Sequence, residues 1–295
     1  MNKKEIFRKI DKNIILFGET IYSIIRILIG FNLNLRTKFN KQNMECIIVG
    51  NGPSTKEFIN NFKAFCSDKD VYCVNYFAEN EIFFIIKPDA YVLLDPSFWL
   101  DGVSIEKKEK RDNLYKILLK STDWPINIYL PFDAKKYVSN KSKNDNVKIS
   151  FFNRTPVRGF MAFREWCYKF NLGMPTAGNV LVAAIFLTIK CQYKTVFVVG
   201  ADHSWHKEIM VGDDNILYVR QVHFYDDNKV DLVPFNKTNS DGVFNISGIF
   251  HEWSEVYKSY DQLREFSKKN KVRVVNTTKN SFIDSFERMP NLWKI

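Results

Sequence analysis

Cys46-Ile47-Ile48-Val49-Gly50-Asn51-Gly52-Pro53-Ser54 decides the fold class. Four apolar residues without alternation are the pattern of a strand buried on both faces. The small-residue turn that follows leaves backbone N–H groups pointing outward from the carboxyl edge of a sheet, where nucleotide phosphates and sugars are commonly held. The turn matches neither G-x-G-x-x-G nor G-x-x-x-x-G-K-[ST], so a Rossmann dehydrogenase and a P-loop kinase are not expected.

Outward from that turn, strands are expected at 45–49, 71–75, 89–94, 126–130, 147–151, 195–199 and 271–275. Helices are expected at 55–65, 105–120, 158–170, 178–190 and 253–269. In the last of these, Trp253, Val256, Tyr260, Leu263 and Phe266 form one apolar stripe. The alternation predicts an α/β chain, a single Rossmann-like domain over residues 44–295 with a mostly parallel sheet. Residues from about 203 to 250 interrupt it with Gly212, Asp213, Asp214, Asp226, Asp227, Asn239, Ser240, Asp241 and Gly242 among scattered aromatics such as Tyr218, Phe224 and Tyr225. So long a connection is expected to be a lid or acceptor-binding excursion.

Residues 1–43 are expected to form a separate basic, amphipathic segment. Lys3, Lys4, Arg8, Lys9 and Lys12 precede an apolar stretch running to Phe31, with Arg36, Lys38 and Lys41 after it. Glu19 and Arg26 interrupt the stretch and would be costly at a bilayer centre. A helix lying in the membrane interface is therefore expected, which places the chain peripherally on the cytoplasmic side of the inner membrane.

The 295 residues are 45% hydrophobic and carry a net charge of +10, with 26 Phe, 13 Tyr and 6 Trp. That supports a large core and argues against disorder. The charge concentrates at the N-terminus and no aromatic-plus-basic RNA motif accompanies it, so no nucleic-acid partner is expected. Five widely spaced cysteines and no C-x-x-C pair predict reduced thiols. His203-x-x-His206 has metal-compatible spacing but no cysteine nearby, and no metal is expected.

Ligands of open parallel sheets lie beyond the carboxyl ends of the strands. The candidates there are Gly50, Asn51, Gly52, Pro53 and Ser54; Asn75; Asp95, Pro96 and Ser97; and Gly200, Ala201, Asp202, His203 and Ser204. Thr176, Ala177 and Gly178 open the helix expected at 178–190, where a hydroxyl and small residues let an anion approach the backbone.

In this order the segments resemble the bacterial sialyltransferases of glycosyltransferase family 42, which decorate lipooligosaccharide. The resemblance runs over about 45–285 in short matches: Gly50–Ser54, Val74-Asn75-Tyr76-Phe77, Leu94-Asp95-Pro96-Ser97, Thr176-Ala177-Gly178, Val199-Gly200-Ala201-Asp202 and Phe250-His251-Glu252. It implies a cytidine-monophosphate-linked sugar donor held by these loops as co-substrate, with no tightly bound cofactor. It also implies His251 as general base on the acceptor hydroxyl, work that suits an imidazole near neutral pH.

The sugar so implied is sialic acid or a related nonulosonate, and the acceptor a surface or lipid-linked glycan. Inversion is expected from one base without a paired carboxylate nucleophile. The chain departs from the family at Asp95, where asparagine is usual, at Ala177, which replaces serine, and at Met174, which replaces arginine. It also lacks the family's tyrosine after Asp202, for which His203 or Tyr218 is a substitute. A pyrophosphokinase-like enzyme with Asp95 and Asp202 on a metal and a non-catalytic membrane-bound protein are the alternatives, and a homo-oligomer is left open.

Overall fold

A computed structural model describes residues 3–30, 37, 39, 41–139, 141, 144–220, 223, 224, 231–237 and 242–294. Helix α1, Lys3–Gly30, is followed by β1 at Glu45–Val49, in which Cys46, Ile47, Ile48 and Val49 are buried. Short helices α2 (Thr55–Ile59) and α3 (Phe62–Cys66) lead to β2, Asp70–Val74, and α4 (Ile82–Ile86) leads to β3, Ala90–Val92. Then follow α5 (Ile105–Lys116), β4 (Ile126–Pro131), α6 (Lys135–Val138) and β5 (Val147–Phe152). Helices α7 (Met161–Lys169) and α8 (Val180–Lys190) precede β6, Thr195–Val199.

Three short strands, β7 (Ile209–Val211), β8 (Leu217–Val219) and β9 (Val233–Pro234), pair antiparallel inside the expected lid. The long helix α9, Ile246–Lys269, returns the chain to β10 (Arg273–Asn276) and β11 (Glu287–Arg288).

The chain is α/β. Eight strands form one sheet in the order β11-β10-β6-β1-β2-β3-β4-β5, each neighbouring pair parallel. The chain moves outward from β1 to β5, then crosses back to lay β6 on the other side of β1. The carboxyl ends of β1 and β6 therefore mark the switch point at which such sheets bind ligands. Alternate residues of β1 feed opposite cores: Cys46 and Ile48 pack with α7, α8 and α9, whereas Ile47 and Val49 pack with α2, α3 and α5. Helix α8 is buried along almost its whole length because it crosses the sheet centre under α9.

Several element boundaries differ from expectation. The helix expected over 55–65 is two, broken at Asn60 and Asn61, where Asn61 leaves helical geometry at φ −121°. Helix α7 begins at Met161 rather than 158, because Gly159 at φ +101° precedes it. The helix expected from 253 starts seven residues earlier, at Ile246, with Asn245 as its cap. The five cysteines are free thiols, four of them buried. Phe31, Arg36, Lys38, Tyr225, Asp226, Asp227, Asn239, Ser240 and Asp241, named above in the N-terminal segment and the lid, lie outside the described residues.

Candidate active site

At the switch point the two loops interlock. Gly50 N–H donates to Val199 O at 2.9 Å and Gly52 N–H to Gly200 O at 3.0 Å. A Cβ on Gly52 would lie 2.0 Å from Asp202 Oδ2 and 2.6 Å from Gly200 O, so no larger residue fits this approach. Ser54 Oγ donates to Asp202 Oδ2 at 2.8 Å, closing the junction from the helix side. Burial lifts the Asp202 carboxyl above its ordinary range, against the opposing hydrogen bonds from Ser54. From the lid, Phe224 N–H donates to Asn51 O at 3.1 Å, and its ring packs 5.2 Å from Phe77. The segment expected as a lid thus touches, at Phe224, the turn that the sequence singles out.

Beside this junction runs a crevice of about 690 Å³, lined from six directions. Asn75 comes from the end of β2, Asp95 and Pro96 from the end of β3, and Arg154 from beyond β5. Ala177, Gly178 and Asn179 come from the start of α8, Lys237 and Phe244 from the lid, and Asn245, Gly248, His251 and Glu252 from the start of α9. Of the candidates, Asn75, Asp95, Pro96, Ala177, Gly178 and His251 are therefore brought into one space.

Gly50–Ser54, Ser97, Thr176 and Gly200–Ser204 are not in its lining. Ser97 N–H donates to Asp95 Oδ1 at 2.8 Å, fixing the turn that presents Asp95. Thr176 Oγ1 accepts from Arg158 Nε at 3.1 Å, while Ala201, fully buried, donates its N–H to Thr278 Oγ1 at 3.1 Å.

Asn75 holds φ +49°, a left-handed conformation that asparagine tolerates better than most residues. The Tyr91 hydroxyl, donating to Asn75 O at 2.5 Å, pins it there. Asn75 Oδ1, and Asn51 Oδ1 beside it, are buried without a hydrogen-bond partner among the described residues. Two amide oxygens of this kind, one on each neighbouring strand end, are acceptors available to an N–H or O–H donor.

His251 is exposed in the second turn of α9 and not in a loop ahead of the helix, as 253–269 implied. Asn245 Oδ1 accepts from Gly248 N–H at 2.8 Å and so sets the register that aims this turn. Glu255, one turn on, bonds Arg158 at 2.8 Å and Lys258 at 2.7 Å. Burial would raise its carboxyl, but Lys258, Arg158 and His251 hold it below the usual range.

His203, expected in the donor pocket or as the leaving-group acid, is a core residue. Its ring is 5% exposed, shares a 2.7 Å hydrogen bond with the Tyr260 hydroxyl and packs 4.2 Å from Trp205. Burial drives its pKa down to about 3, so it is neutral at pH 7. His206 packs edge-on against Phe282, with ring centroids 4.4 Å apart. Tyr218 donates to Asp214 Oδ2 at 2.8 Å at the outer turn of the small sheet and is not in the crevice lining.

Two cations that sequence reasoning missed do line the crevice. Arg154 follows the end of β5, a strand end left unread, and pairs with Asp133 at 2.6 Å. Lys237 follows β9, in the excursion expected at 203–250, where no periodicity marks it. Met174 is fully buried, and Arg158 is bonded through Nε to the Thr176 hydroxyl that precedes α8.

No family model and no curated protein matches the chain. Among solved structures, the MAf glycosyltransferase from Magnetospirillum magneticum AMB-1 is similar at a TM-score of 0.49 and 11% identity. The match covers 86% of this chain and 35% of that one, so the chain spans about a third of that protein's length. A likeness this distant assigns neither a family nor an activity.

Proposed function

We propose that the chain is a glycosyltransferase that uses a nucleotide-activated sugar, with His251 as general base. The observation that supports this most is that the imidazole of His251 shares one crevice with Asn75, Asp95 and Pro96 at the ends of β2 and β3 and with the N-terminus of α8. Parallel sheets bind nucleotides at that edge, and a volume of about 690 Å³ suits a nucleotide sugar.

In the reaction, His251 accepts the proton of the acceptor hydroxyl while that oxygen bonds to the anomeric carbon. The bond from that carbon to the phosphate oxygen breaks with its electron pair, and the nucleotide leaves as an anion. Arg154, Lys237 and the N-terminus of α8 are the groups in the lining that stabilise this charge. One displacement inverts the anomeric centre. The resemblance to family 42 favours a cytidine monophosphate donor carrying sialic acid or a related nonulosonate, and a surface or lipid-linked glycan as acceptor.

The test is turnover of nucleotide sugars by the full chain, with release of the free nucleotide as readout. His251→Ala should lower turnover about 10²- to 10⁴-fold and leave donor affinity nearly unchanged. Full activity in that variant removes the histidine from the mechanism. A product that retains the donor's anomeric configuration removes the single displacement.

A further inference from the structure

Two stripes run along α1, one residue out of step. Leu16, Thr20, Ser23 and Ile27 turn inward: Ser23 and Ile27 are buried, and Ser23 Oγ accepts from Arg158 N–H at 2.8 Å. Thr20 Oγ1 accepts from Phe160 N–H at 3.1 Å, and a Cβ on the intervening Gly159 would lie 2.0 Å from Thr20 Oγ1. This clasp sits past the middle of the helix and holds it on the body. One position later at every step, Phe17, Ile21, Ile24 and Leu28 point away from the body, and Ile14 extends the same row toward the N-terminus, all exposed. One residue is about a quarter-turn and more of helix, so this row looks outward beside the docked stripe.

We propose that this outward row, with the cations of the first turns, is a docking surface for an anionic lipid bilayer, and that α1 lies along the surface and does not cross it. Ile15, Ile25 and Ile29 are also exposed and widen the row beyond the narrow seam that a second helical copy would cover. The helix carries six basic residues and three acidic ones, and the chain as a whole is at +10. Two copies of such a surface repel each other, while anionic headgroups attract it.

By length and composition alone α1 could cross a membrane. The clasp decides against that, because a helix bonded near its middle to the backbone at 158 and 160 cannot be ringed by acyl chains with the clasp intact. A second exposed apolar group begins where the clasp ends. Met161, Trp166 and Phe170 on and after α7 are all exposed, with the Trp166 and Phe170 rings 5.4 Å apart, and they supply aromatic side chains of the kind enriched at membrane interfaces.

Co-sedimentation of the full chain with vesicles of phosphatidylethanolamine and phosphatidylglycerol, or of phosphatidylcholine alone, tests this without reference to donor or activity. Binding should require phosphatidylglycerol. It should weaken about fivefold for each of Lys4, Arg8, Lys9 and Lys12 replaced by Gln, and be lost in Phe17→Ser/Leu28→Ser. Trp probes at Phe17→Trp and Leu28→Trp should both be quenched best by lipids brominated near the headgroup. Quenching of the position-17 probe chiefly by lipids brominated at the chain ends would make α1 a span and overturn the proposal. Self-association without vesicle binding would overturn it in favour of a dimer face.

Discussion

Gly200 and His203 both occupy left-handed backbone at the end of β6, at φ +67° and +54°, for opposite ends. Gly200 is there so that the two switch-point loops can meet, since a Cβ at that position would lie 1.9 Å from Thr55 Oγ1. Gly200→Ala combines a left-handed penalty with overpacking and should cost about 2–5 kcal/mol, read as a lower urea midpoint at unchanged slope. A loss under about 1 kcal/mol would mean that the loops part easily.

His203 is there to turn its ring into the core. With its pKa held near 3 by burial, the unfolded chain binds the extra proton between pH 6.5 and 3. The stability it contributes is therefore complete above about pH 6.5 and falls as the pH drops toward 3. From pH 7 to pH 5 this is about 2 kcal/mol, and His203→Gln should flatten that part of the melting profile. An unchanged slope would show that the ring protonates in the folded state. Nothing local separates such a histidine from a loop ligand in the sequence, because the Tyr260 that receives it is 57 residues away.

At the scale of elements, apolar runs, several of them continuous and β-branched, made the seven expected strands legible, and each is present within two residues at its start. Helix starts were harder to read. For α9 the apolar stripe begins at Ile249, but the start is set by Asn245, and no apolar periodicity reports a cap. The misplaced start put His251 in a loop, when it belongs to a helical turn of fixed direction. Asn245→Ala should therefore cost about 1 kcal/mol and speed amide exchange over the first turns of α9, with α8 unaffected. Equal protection in the variant would show that packing of Ile249 and Val256 alone fixes the turn.

On the scale of the whole molecule, the parallel α/β class was legible but the order of the strands was not. Nothing in residues 195–199 states that β6 pairs with β1, and that pairing alone puts the Gly50 and Gly200 turns in contact. The crevice has the same character, since its lining runs from Asn75 to Glu252 and includes Arg154 and Lys237, which no motif flags. A ligand that spans such a lining must be released before the fold can open. It should raise the midpoint of global unfolding by the equivalent of about 2.7 kcal/mol at a hundred times its dissociation constant.

Arg154 separates this effect from intrinsic stability. Its pairing with Asp133 is solvent-exposed, so Arg154→Ala should change the stability of the free chain by less than about 1 kcal/mol. The same variant should lose most of the added stabilisation by an anionic nucleotide, with affinity falling about 10- to 100-fold. A variant that melts and binds like the parent would place the phosphates elsewhere along the crevice and leave Lys237 and the start of α8 as the groups to test.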